Sequence, residues 1–171
     1  MTRRDQIHKW FVYALALVPV WLLDEFVLNR VPLFGVVPML LPLTVVAVAV
    51  LEGSVAGAGF GMAVGLLWEL AYPGGSGILV FGMTLAGMLT GSIAQYALSQ
   101  SFVSCLLCSA GVLAMIDGAR IVRYLFVQAE TLDVLLQVVA SEIAVSLCFT
   151  PFIYLLFRMV FRRVGLSLIH I

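Results

Sequence analysis

Five charged side chains lie inside long apolar stretches of this 171-residue sequence: Glu69, Asp117, Arg120, Arg123 and Glu142. Arg120 follows Asp117 by three residues and Arg123 follows by three more, so on a helix they share a face. A charge inside a bilayer costs about 2.5–3.5 kcal/mol on insertion scales, so such residues face partners or a wet cavity. Two arrangements satisfy that demand. Glu69 or Glu142 neutralises Arg120 and locks a helix bundle from within, or the group lines a polar pocket open to one side and holds a ligand or a partner's side chain. The internal network is the preferred reading. No catalytic set accompanies these charges: there is no Ser/His/Asp set, no HExxH and no GxxxxGK[ST]. His8 and His170 are terminal and lack metal-ligand company. Cys105 and Cys108 form a CxxC, but with Cys148 they sit in apolar sequence and read as packing residues. No enzyme activity, cofactor or metal is expected. Basic residues are too few and too terminal for nucleic acid.

The elements that must hold these charges are set by composition. The chain is 63% hydrophobic and 11% charged, with a mean hydropathy of +1.16. Soluble domains run at about 45–50% apolar and about 25% charged, so a bilayer must be the solvent here. The expectation is an all-α polytopic membrane protein in one integral membrane domain over residues 1–171. Six spans are predicted, at about 10–26, 31–51, 53–72, 78–98, 102–126 and 134–161. Between Glu69 and Asp117 no residue is charged, room for two crossings of about 20 residues each with a turn at Ser99–Ser101. Pro38 and Pro42 predict an irregular first half for the second span. Arg3, Arg4, Lys9, Arg158, Arg162 and Arg163 cluster at the two ends, opposed there only by Asp5. The positive-inside rule then places both termini in the cytoplasm and requires an even number of spans. The apolar run after Lys9 is longer than a signal-peptide core and reads as a retained first helix.

Between these elements runs a periodic signal. Gly53, Gly57, Gly61 and Gly65 recur every four residues, and Gly87 and Gly91 repeat the spacing. On a helix this makes a small-residue stripe that allows another backbone to approach closely. The stripe serves packing within the chain or docking of a partner helix, and internal packing is preferred. It runs into Trp68 and Glu69, then into a turn of Pro73, Gly74, Gly75 and Gly77.

From Pro38 to Gly91 the sequence resembles the rod shape-determining protein MreD family. The resemblance rests on a proline-led second span and on the glycine run from Gly53 to Gly65, which leads to Leu66 and the acid Glu69. The Pro73–Gly77 turn and the Gly87/Gly91 pair of the fourth span complete it. The family more often has Asp where Glu69 stands, and an acidic or polar residue where Met39 stands. Membership would imply a six-span, non-enzymatic protein of the bacterial inner membrane. It would work in the elongation complex (the elongasome) that supports lateral peptidoglycan synthesis and cell shape. Its implied partners are a bitopic MreC-like protein, MreB-like cytoskeletal components and peptidoglycan synthases. The family is also thought similar in fold to the substrate-binding subunits of energy-coupling-factor vitamin transporters, which supplies an alternative function. On either reading the lipid bilayer is a partner.

Overall fold

The bundle is built around its shortest helix. The structure, a computed structural model, describes residues 3–28, 30, 36–71, 77–96, 101–127 and 132–169. These form α1 (Arg3–Leu22) with a π-helical extension Leu23–Leu28, α2 (Leu40–Glu52), α3 (Ser54–Ala71), α4 (Ile78–Tyr96), α5 (Phe102–Val127) and α6 (Leu132–Ile169). Among the described residues there is no β-strand. Among the described residues, four helical segments are long and apolar enough to cross a membrane: Ile7–Leu28, Ile78–Tyr96, Phe102–Val122 and Leu136–Arg163. Leu40–Glu52 and Ser54–Leu70 are shorter apolar helices. The turn expected at Pro73–Gly75 and the inner turn at Ser99–Gln100 lie outside the described residues.

α2 is the short, regular part of the expected second span. The second span is expected over 31–51 with an irregular first half, and the regular helix begins at Leu40. Residues 37–39 carry no regular structure, and Met39 is extended, with φ −97° and ψ 103°. Pro42 follows as the third helical residue, where a backbone N–H would have no intrahelical acceptor in any case. At 13 residues and about 1.5 Å rise per residue, α2 is about 20 Å long, short of a hydrocarbon core of about 30 Å. Every residue from Leu40 to Leu51 is buried. A helix that is apolar all round suits this position, because no face of it meets solvent. The others surround it: α3, α4, α5, α6 and α1 all pack on α2.

The reversal from α2 to α3 takes a single residue. Gly53 adopts φ +95°, a backbone region open to glycine and strained for other residues. Its N–H closes α2 on Ala49 O at 2.9 Å. α3 then runs antiparallel to α2 and lies along α4, its most extensive neighbour. At the Glu52 end, Tyr13 of α1, Phe60 of α3 and Phe157 of α6 form an aromatic cluster. Tyr13 stacks on Phe157 at 6.2 Å, and Phe60 meets Phe157 edge-on at 5.9 Å. These rings set α1 beside both α3 and α6.

Candidate functional site

The glycine face is filled from inside the chain. A Cβ on Gly57 would sit 2.6 Å from Gly87 O, and one on Gly65 would sit 2.7 Å from Val80 Cα. Gly61 faces the Met83 backbone in the same way, and a Cβ on Gly91 would lie 2.5 Å from Ser54 Cα. All of these obstacles are backbone atoms, which cannot swing aside. Gly87 meets the Gly57 backbone in return, and a Cβ on Gly53 would strike the Gln95 side chain. α3 and α4 therefore touch backbone to backbone at four successive levels, Ser54, Gly57, Gly61 and Gly65, the close contact that small residues permit in lipid. Gly59, Gly82, Gly111 and Gly118 have open space instead.

α5 and α6 bring three of the predicted charges together. Arg120 Nη1 donates to Asp117 Oδ1 at 3.1 Å and to both Glu142 oxygens at 2.9 and 3.1 Å. The Asp117 and Glu142 side chains are 1% and 9% exposed, whereas Arg120 is 43% exposed. The guanidinium thus closes over two buried carboxylates from the wetter side. Two acids against one base leave the cluster a formal charge of −1. Glu69 is elsewhere, on α3, which packs against α4 and α2. Its Oε1 is buried without a hydrogen-bond partner. Arg123 lies on α5, and its side chain is outside the described residues.

Two further ionic groups hold the ends of α2, and the motif reading does not single them out. At its start, Leu40 N–H donates to Asp24 Oδ1 at 3.2 Å, and Met39 N–H donates to Ser146 Oγ at 3.0 Å. The first N–H groups of a helix have no intrahelical acceptor, and inside a membrane they have no water either. Asp24 also places negative charge at the positive end of the helix dipole. At the other end, Glu52 accepts from Tyr13 OH at 2.8 Å and from Lys9 Nζ. A carboxylate at a helix C-terminus opposes the dipole, so the Lys9 ammonium compensates both the charge and its location. One signal for this pair is present in the sequence: Lys9 and Glu52 carry opposite charges at the ends of predicted spans.

Among the described residues, the buried Trp21 Nε1, Asp117 Oδ2 and Thr150 Oγ1 make no hydrogen bond, as Glu69 Oε1 makes none. Among the described residues no group of three His, Cys, Asp or Glu side chains is placed to hold a metal ion.

In comparison with known proteins, the sequence model of the family described as rod shape-determining protein MreD matches residues 4–160. No curated protein and no solved structure gives a match.

Proposed function

The chain belongs to the MreD family, which ties it to rod-shape determination, and on that premise we propose that it is a non-enzymatic scaffold of the bacterial inner membrane. In this reading it docks the transmembrane helix of an MreC-like bitopic partner and supports lateral peptidoglycan synthesis beside MreB-like and synthase components. Both termini, with Lys9 and Glu52, face the cytoplasm, and the Asp24 and Arg120 ends face outward. α2 and α3 complete a six-span topology.

The observation that carries the docking hypothesis is the division of α3 into two faces. Gly57, Gly61 and Gly65 are consumed by α4. Val55, Met62, Leu66 and Leu70 recur at helical spacing on the opposite side and are exposed, with Gly59 open among them. A single apolar helix fits such a face by small-residue and knob contacts. The test is co-purification of the MreC-like partner in mild detergent from membranes carrying Gly59→Trp or Leu66→Trp. Loss of partner recovery at normal membrane level supports the reading, and unchanged recovery with both variants overturns it for this face.

A second reading, a ligand-binding subunit of the energy-coupling-factor type, draws on the buried, unpaired Trp21 Nε1 and Glu69 Oε1. Association with the ATPase subunits of such a transporter in pull-downs separates it from the scaffold.

A further inference from the structure

α6 carries a stripe of exposed side chains that changes character once. Cys148, Phe152, Leu155 and Met159 follow one another at steps of three or four residues, so they share a face. Cys148 is exposed, and Phe152, Leu155 and Met159 are 72%, 54% and 59% exposed. The opposite face, with Ile153 and Phe157, lies in the core. Arg162 and Arg163 come three and four residues after Met159, the two positions that neighbour it on the helix surface, and both are exposed. An apolar stripe therefore ends in two arginines side by side.

Contacts between the helices fix where this change falls. α1 runs from Lys9, at the Glu52 end of α2, to Asp24 at the Leu40 end. α6 runs the other way, from Ser146 beside Met39 to Phe157, which stacks on Tyr13 at 6.2 Å. Lys9 is four residues before Tyr13 and Phe161 is four after Phe157, so Arg162 and Arg163 emerge beside the Lys9–Glu52 level. That is the end of the bundle at which α2 reverses into α3 through Gly53. From Cys148 to Met159 the stripe is about 16 Å long at about 1.5 Å per residue, close to the roughly 15 Å of one leaflet of hydrocarbon.

The chain does not neutralise the two arginines. Among the described residues no carboxylate pairs with either of them, and the sequence contains no acid after Glu142. Glu52 is held by Lys9 and Tyr13. Arg158 is engaged otherwise, with its guanidinium 5.8 Å from the centre of the Tyr154 ring. Membrane topology calls for positive charge at this end, which Arg3 and Arg4 also supply. It does not call for two adjacent arginines at the foot of an apolar stripe one leaflet long.

We propose that this face of α6 is a binding site for one anionic phospholipid, with an acyl chain along Phe152, Leu155 and Met159 and the phosphate held by Arg162 and Arg163. Guanidinium groups match phosphate oxygens in geometry as well as charge. Basic side chains at the membrane surface favour anionic over zwitterionic lipids. A protein helix laid on this stripe would have to bring its own acid to the arginines, whereas an anionic lipid carries the apolar chain and the charge in one molecule.

The test is native mass spectrometry of the purified full chain in nonionic detergent, titrated with dioleoyl phosphatidylglycerol or dioleoyl phosphatidylcholine. These lipids share their chains and differ in headgroup charge. The wild type should bind the first phosphatidylglycerol at least roughly tenfold more tightly than phosphatidylcholine. Equal affinities overturn the proposal, and this measurement needs no variant. Arg162→Gln with Arg163→Gln should abolish the preference. Arg3→Gln with Arg4→Gln removes the same charge from the same end and should leave the preference intact. Equal losses in the two double variants mean diffuse attraction to a basic surface and overturn the site, as does a preference that survives Arg162→Gln with Arg163→Gln. A large excess of glycerol 1-phosphate, which lacks the chains, should leave the bound lipid in place. Its displacement overturns the lipid as occupant in favour of free phosphate.

Discussion

The Asp24 carboxylate accepts the Leu40 N–H at 3.2 Å and so caps a helix that has no exposed residue before its last. This contact joins the π-helical extension of α1 to the start of α2 and replaces the water that a surface helix would use. Asp24→Leu removes both the acceptor and the charge, and Asp24→Asn keeps an acceptor. Loss of a capping side chain costs about 1–2 kcal/mol. The expected order of melting temperature in detergent is wild type, then Asp24→Asn, then Asp24→Leu, read by tryptophan fluorescence.

Arg120 closes over Asp117 and Glu142, and its removal strands two carboxylates that are 1% and 9% exposed. Breaking a buried pair from one side costs about 3–5 kcal/mol, and the partial exposure of Arg120 moves the expected cost to the lower end. Arg120→Ala should reduce folded protein in the membrane. Adding Asp117→Asn and Glu142→Gln to Arg120→Ala should restore much of it, because the uncompensated charges are then gone. Membrane protein level by immunoblot checks both outcomes. Failure of the triple variant to recover would show that Arg120 acts through packing and not charge.

Gly57 and Gly59 are two residues apart on α3 with opposite surroundings. The first meets the Gly87 carbonyl oxygen and Ala49, and the second meets nothing within 4 Å. Gly57→Leu should therefore cost about 3 kcal/mol or more, since the α4 backbone has nowhere to go. Gly59→Leu should change stability within about 0.5 kcal/mol, as a surface substitution does. Thermal unfolding of the two purified variants decides this, and similar losses in both would contradict the assigned α3–α4 contact.

Lys9 and Tyr13 converge on Glu52 from α1. Lys9→Met leaves a carboxylate, 9% exposed, held by one hydroxyl. Lys9→Met with Glu52→Gln removes the imbalance. A double-mutant cycle should give a coupling energy of about 0.5–3 kcal/mol between the two positions. A coupling near zero would mean that Glu52 is stabilised by Tyr13 alone.

What the sequence disclosed and what it withheld divide along a physical line. The spacing of Gly53, Gly57, Gly61 and Gly65 is a local property, and one face of one helix follows from it. The surface across from that face, the Met83 and Gly87 carbonyls of α4, is a matter of packing. The same limit applies to Arg120. Asp117 is within reach on its own helix, but Glu69 and Glu142 are equivalent as letters, and only the pairing of α5 with α6 selects Glu142. Pro38 and Pro42 signalled an irregular second span. They did not reveal that the irregular part ends at Met39, nor that Asp24 and Ser146, from opposite sides in sequence, supply the missing hydrogen bonds. Ser146 is silent for a similar reason, since a serine folded back on its own helix, as Ser141 is, and one that accepts from another segment read alike.

The burial of α2 also bears on how the chain is made. Ribosomes deliver it second, yet the serine that holds its first N–H lies 107 residues further along. Until α5 and α6 arrive, the helix has lipid or translocon around a surface meant for protein, and its leading end is sealed on one side only, by Asp24. A nascent chain halted after α4 should therefore hold α2 in a protease-sensitive, displaceable state. Maturation of this bundle is then a late event, completed from the C-terminal end inward.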